Sequence, residues 1–115
     1  QFQQQCFLHA WNHPSKFFRH RIFTIHNNAK DARQGLKLKS MGVLAGVPDM
    51  CILLNDRKVI WIELKKDDKQ KLSDAQRKLH PIWIKDFNHK IIVINNFEDF
   101  EWVINNILKE NGVTI

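Results

Sequence analysis

The chain has 115 residues, 43% of them hydrophobic with eight Phe and four Trp, which suits one packed domain over 1–115 and excludes a disordered tail. Its net charge of +6 lies wholly in residues 1–48, where Lys16, Arg19, Arg21, Lys30, Arg33, Lys37 and Lys39 face a single acid, Asp31. That imbalance points to a polyanion such as nucleic acid, with His13, His20 and His26 as further donors, while no apolar run reaches the length of a membrane span.

Residues 2–12, with Phe2, Cys6, Phe7, Ala10 and Trp11 apolar, predict an amphipathic helix that ends before Pro14. In residues 17–26 Phe17, Arg19, Arg21, Phe23 and Ile25 alternate with Phe18, His20, Ile22 and Thr24, and the aromatic and β-branched content predicts a strand. Asn28 is placed to cap a helix that runs to Met41 and stops at Gly42. On it Lys30, Arg33 and Lys37 share one face, and Ala29, Ala32 and Leu36 a neighbouring one. Two strands follow, 47–54 and 58–65, joined at the polar break Asn55, Asp56 and Arg57. After the charged loop 66–72, Ser73-Asp74-Ala75-Gln76 forms a capping box that opens another helix, which Pro81 is expected to kink or break. Residues 90–95 predict a buried strand, and 97–109 a closing helix; that helix and the apolar residues around Trp83 and Phe87 are the candidates for a dimer surface, with core the favoured reading of each. The order is α-β-α-β-β-α-β-α, an α/β fold with a mixed central sheet flanked by helices. The only two cysteines are Cys6 and Cys51; Cys51, in an apolar strand, reads as a buried free thiol. So few cysteines argue against sulfur-ligated zinc and fit a reducing compartment. No signal-peptide pattern opens the chain, and Gln1 in place of a start methionine leaves room for residues upstream; a cytoplasmic protein is expected.

The hairpin carries the chemistry. With Asp56 at the centre of the turn, Leu54 pairs with Lys58 and Asp49 falls opposite Glu63, with Lys65 on the same face. A slip of one residue would send Asp49 to the other face. Carboxylates opposed at roughly 5 Å destabilise a sheet unless a cation lies between them. Asp49 and Glu63 offer hard oxygens, with the Leu64 carbonyl as a third donor, a set that suits Mg²⁺ or Mn²⁺. Lys65 would orient a water or neutralise charge on a phosphate in the transition state, completing the parts needed for phosphodiester hydrolysis. The bland alternative is a surface ion-pair cluster, which sits badly with a strand that is apolar on both faces (Val59 and Trp61 against Ile60 and Ile62). For Gln76 the capping role competes with a catalytic one. Lys66 and Arg77, with Arg19, Arg21, Lys30, Arg33, Lys37 and Lys39, are the candidate DNA contacts.

Gly46-Val47-Pro48-Asp49, then thirteen residues, then Glu63-Leu64-Lys65, then Leu72-Ser73-Asp74-Ala75-Gln76, resembles the VRR-NUC branch of the PD-(D/E)xK nuclease superfamily across nearly the whole chain. The resemblance implies a metal-dependent DNA endonuclease, with Asp49 and Glu63 on the metal, Lys65 catalytic and Gln76 supporting the site. Small standalone members of that family, often phage or bacterial, look like homodimeric resolvases of four-way (Holliday) junctions. Fused members cut flaps as monomers. The family pattern also has an acid on the first helix. Here that helix offers Gln1, Gln3, Gln4 and Gln5, which leaves a second metal open and keeps a branched-DNA-binding module without cleavage as a rival.

Overall fold

The computed structural model describes residues 1–26 and 31–114. Its first helix, α1 (Phe2–Trp11), is capped by the side chain of Gln1 and buries Cys6 and Ala10. The chain then turns rather than extends. Lys16 and His20 both take positive φ (58° and 65°), and the amides of Arg21 and Ile22 close on the Phe18 carbonyl. Strand β1 is therefore only Ile22–Thr24, shorter than the expected 17–26. The cause is the pair Phe17-Phe18: Phe18 is fully buried and Phe17 packs against the same core, edge-on to it at 5.1 Å, which a strand with alternating faces does not permit.

The second helix, α2 (Ala32–Ser40), takes Asp31 as its cap, with the side chain accepting from the Gln34 amide at 2.8 Å. The expected cap Asn28, with Ala29 and Lys30, lies outside the described residues. No α2 residue is buried, and Leu36 is 71% exposed, so this helix stands on the surface.

Strands β2 (Met50–Leu53), β3 (Val59–Leu64) and β4 (Lys90–Ile94) complete a sheet of order β1-β2-β3-β4. The first three run antiparallel and β4 runs parallel to β3. Pairing runs from Met50↔Ile62 to Leu53↔Val59, and the Leu54 amide reaches the Lys58 carbonyl at 2.8 Å. One step beyond Met50, Asp49 faces Glu63, the register expected. The turn is closed from the Lys58 amide to the Asn55 carbonyl at 3.3 Å, with Asp56 and Arg57 both left-handed (φ 60° and 64°). That is the type I′ geometry whose twist matches paired strands.

One sheet face, with Met50, Ile52, Ile60, Ile62 and Ile94 buried, packs on α1 and on α4 (Phe97–Glu110). Helix α4 is capped by Asn96 and buries Phe100, Val103, Ile104, Ile107 and Leu108, a stripe at helical spacing. The other face lies under α3 (Asp74–Pro81), which provides much of the crossover that a parallel β3–β4 pair requires. After Pro81, which lacks an amide hydrogen, the chain continues as a wider π-helical segment, Ile82–Asp86. Trp83 packs on Trp61 with ring centroids 4.9 Å apart, but Phe87, expected in the core, is 60% exposed. Cys6 and Cys51 are both buried and unpaired. Among the described residues no helix is long and apolar enough to cross a membrane.

The left-handed turn is held against the preference of its side chains. Arg57→Gly is expected to stabilise the protein by about 0.5–1 kcal/mol, the left-handed penalty less the entropy of glycine. Urea denaturation at unchanged m-value measures it.

Candidate active site

Two elements meet at the site: the open end of the β2–β3 hairpin and the N-terminal half of α3. Gly46 makes their approach possible. It takes φ 91°, and a Cβ there would lie 2.7 Å from the Ala75 carbonyl oxygen, so the loop entering β2 rests on the first turn of α3. Pro48 is fully buried behind it. Asp49 then accepts a hydrogen bond from the Leu64 amide through Oδ2 at 2.7 Å, fixing the carboxyl to the backbone of β3.

Helix α3 is started by the reciprocal cap foreseen in the sequence. Ser73 Oγ accepts from the Gln76 amide (3.2 Å) and Gln76 Oε1 accepts from the Ser73 amide (2.9 Å). Gln76 Oε1 also accepts from Lys65 Nζ at 2.8 Å, so capping and site support are carried by the same atom. Lys65 is 6% exposed, and its Nζ lies 3.6 Å from Glu63 Oε2.

Glu63 is the strained group. It is 2% exposed, and its Oε1 is a buried oxygen with no hydrogen-bond partner. Burial, and then the charge and hydrogen bonding of Asp49, push its pKa up to about 8 against the opposing pull of Lys65. His80, one turn beyond Gln76 on α3, closes the other side. Its Nε2 donates to the Gly46 carbonyl at 2.9 Å and lies 3.8 Å from Glu63 Oε1. Burial holds His80 below the ordinary histidine range, and the nearby Lys65 charge adds to that while the Gly46 bond and the Asp49 charge oppose it.

These groups open on a cavity of about 400 Å³ lined by Ala45, Gly46, Val47, Asp49, Glu63, Leu64, Lys65, Gln70, Lys71, Ser73 and Gln76. Two facing carboxylates, one of them buried with an orphaned oxygen and its proton affinity raised beside the other, form a donor set that fits a hard divalent cation. Among the described residues no group of three or more His, Cys, Asp and Glu side chains is assembled for a metal. The glutamines of α1 stand apart from the cavity: Gln1, Gln3 and Gln4 line a groove with Phe7 and Thr24. Thr24 pairs with Met50, and the Ile25 amide bonds the Asp49 carbonyl at 2.9 Å, so that groove lies toward the same end of the sheet.

The sequence-predicted DNA contacts divide. Arg33 and Lys37 line a surface groove on α2. Lys39 lines another that reaches Ala45 at the rim of the site. Arg19 and Arg21 lie elsewhere, because the 17–21 turn redirects them. Arg19 donates to the Trp11 carbonyl at 3.1 Å, and Arg21 bonds Leu53 and Asn55 beside the hairpin turn, stacked over Phe17 at 4.2 Å. That is the opposite end of β2 from Asp49. Arg77 is exposed and paired with Asp74, Lys66 is exposed on the loop after β3, and Lys30 lies outside the described residues. Lys71 and Gln70 line the cavity and were not singled out by their residue pattern. His80 also escaped notice, although its i, i+4 spacing from Gln76 places both on one helix face.

A scan of protein-family models finds no match to the chain, and a search of curated proteins finds none. Solved structures do match. One described as a VRR_NUC domain protein superposes with a TM-score of 0.70 at 24% identity, covering 94% of this chain and 87% of that one. Another, described as a VRR_NUC domain, superposes at 0.55 with 16% identity, covering 89% and 92%. The four-stranded mixed sheet with its flanking helices is thus the VRR_NUC domain fold, as the motif resemblance implies.

The electrostatics of Glu63 have a measurable sign. Its folded pKa of about 8 lies above the ordinary 4.5, so its contribution to stability is full below pH 4.5 and is lost as pH rises through about 8. In EDTA, thermal unfolding is expected to show stability falling across that window, and Glu63→Gln is expected to flatten the fall. At the other contact, Gly46→Ala should cost at least about 2 kcal/mol, from the left-handed backbone and the clash with α3 together. Chemical denaturation reads that loss.

Proposed function

We propose that the protein is a divalent-metal-dependent DNA endonuclease acting on branched DNA, most specifically a four-way-junction resolvase working as a homodimer. The observation that carries the reading is the joining of Asp49, Glu63, Lys65 and Gln76 in one polar cavity, on a fold shared with VRR_NUC domain proteins. Asp49 and Glu63, with the Leu64 carbonyl, are the groups that would hold Mg²⁺ or Mn²⁺. When bound there, such an ion polarises a phosphoryl oxygen and makes water acidic enough to attack near neutral pH.

The protein's own groups do the rest. Gln76 Oε1 anchors Lys65 Nζ, which keeps an ammonium fixed where charge grows on the phosphate. Asp49, tied to the Leu64 amide, keeps its carboxyl in place without rotamer search. Lys71 at the cavity and Lys39, Arg33 and Lys37 on α2 supply contacts to the phosphate backbone. Such contacts hold the strand and carry no base information, so selectivity would come from the shape of a branch. In a dimer, two cavities would face opposing strands and give paired cuts.

A second reading has its own observation. Only two carboxylates meet in the cavity, and among the described residues no third ligand side chain joins them. A module that binds branched DNA without cutting it, or a flap nuclease acting as a monomer, would share every other feature.

Labelled four-way junction, flap and linear duplex, incubated with Mg²⁺, Mn²⁺ or EDTA, separate these. The expected result is symmetric nicking of the junction, abolished by EDTA and reduced about 100-fold or more in Asp49→Ala and Lys65→Ala. Undiminished nicking by either variant would sink the assignment. Junction binding with no cut under any ion would establish the binding module. Mass in solution distinguishes one 13.7 kDa chain from two.

A further inference from the structure

We infer that His80 is a positioning residue for Glu63, the second of two rungs by which α3 sets the geometry of the catalytic strand. Gln76 and His80 are four apart on α3 and share one face of the helix. Glu63 and Lys65 are two apart at the end of β3 and share one face of the sheet. The two spacings are each roughly 6 Å, so one helical turn spans the same length as two strand residues. Gln76 accordingly meets Lys65 at 2.8 Å, and His80 meets Glu63 at 3.8 Å.

The two rungs differ in kind. Gln76 makes a full hydrogen bond to its partner. His80 Nε2 spends its proton on the Gly46 carbonyl at 2.9 Å and presents the same electropositive N–H edge to Glu63 Oε1, the oxygen left without a partner. His80 is 4% exposed, so the ring cannot turn to solvent. It therefore bounds Glu63 on one side while Lys65, 3.6 Å from Oε2, bounds it on the other. Gly46 belongs to the loop that delivers Asp49, so the same nitrogen ties the position of Glu63 to the loop carrying the other carboxylate. A carboxylate bounded this way keeps Oε1 short of a full hydrogen bond, with its acceptor capacity unspent.

The consequence for metal binding rests on the nuclease reading; the positioning itself does not. His80→Leu keeps the apolar volume and removes the donor, while His80→Gln restores an N–H at the end of a side chain of equal reach. Mn²⁺ titration calorimetry on the purified chain is expected to show affinity about 10-fold weaker or more in His80→Leu, with most of the loss recovered in His80→Gln. In metal-free protein, the ¹³C carboxylate resonance of Glu63, assigned by its absence in Glu63→Gln, is expected to move in His80→Leu and to return toward wild type in His80→Gln. Unchanged Mn²⁺ affinity and an unmoved Glu63 resonance in His80→Leu would overturn the inference. So would equal impairment in both variants, since bulk rather than the N–H would then be the cause. A wild-type chain that binds no Mn²⁺ would remove the nuclease reading alone, and the Glu63 resonance would still decide the role of His80.

Discussion

The Lys58 amide closes on the Asn55 carbonyl, Asp56 and Arg57 turn left-handed between them, and every pair along β2 and β3 follows from that closure. Side chains alternate across a sheet, so a slip by one residue would move Asp49 away from Glu63 and expose Met50 and Ile52 in its place. The core therefore enforces the site. Met50, Ile52, Ile60 and Ile62 are all essentially buried on the α1/α4 face, and that burial leaves Asp49, Glu63 and Lys65 no choice but the α3 face. Hydrophobic burial of those four side chains, at roughly 1.5–3 kcal/mol each, outweighs the repulsion between the two carboxylates.

The site is where the fold gives back part of what the core provides. A glutamate almost wholly out of water, beside a second carboxylate and with one oxygen unpartnered, is unfavourable in the folded chain. Lys65 offsets part of this but stands 3.6 Å away and is itself bonded to Gln76, so it does not neutralise Glu63 at contact distance. Around it the cap of α3 and the register of β2 and β3 obey local rules, while Glu63 breaks them. That pattern is characteristic of a functional centre rather than of an ordinary ion pair.

Legibility in the sequence followed how local each cause was. The hairpin register could be read because a three-residue polar break between two apolar runs leaves few ways to close. The cap Ser73–Gln76 could be read because both partners lie within four residues. The strand 17–26 could not, because Phe18 is drawn into a core built by Cys6, Ile104 and others distant in sequence, and the chain turns to put it there. Phe87 went the opposite way: its aromatic type favours the core over an interface, yet after the π-helical segment it lies at the surface. His80 was missed because nothing in its residue type marks it. Its approach to Glu63 and Gly46 appears only when α3 is laid across β3.

Charge shows the same division. The surplus of basic residues in 1–48 was evident from counting, but counting treats all of them as free to meet phosphate. Arg19 is engaged by Trp11 at the end of α1, and Arg21 by Phe17, Leu53 and Asn55 at the turn end of the sheet, where it braces the hairpin. Helix α2 is the contrast. It buries nothing, so Arg33, Lys37 and Lys39 pay no packing role, and the Lys39 groove runs to Ala45 at the rim of the cavity. A helix that contributes little to the core leaves its basic side chains at the surface, and Lys39 lines the groove that shares Ala45 with the cavity.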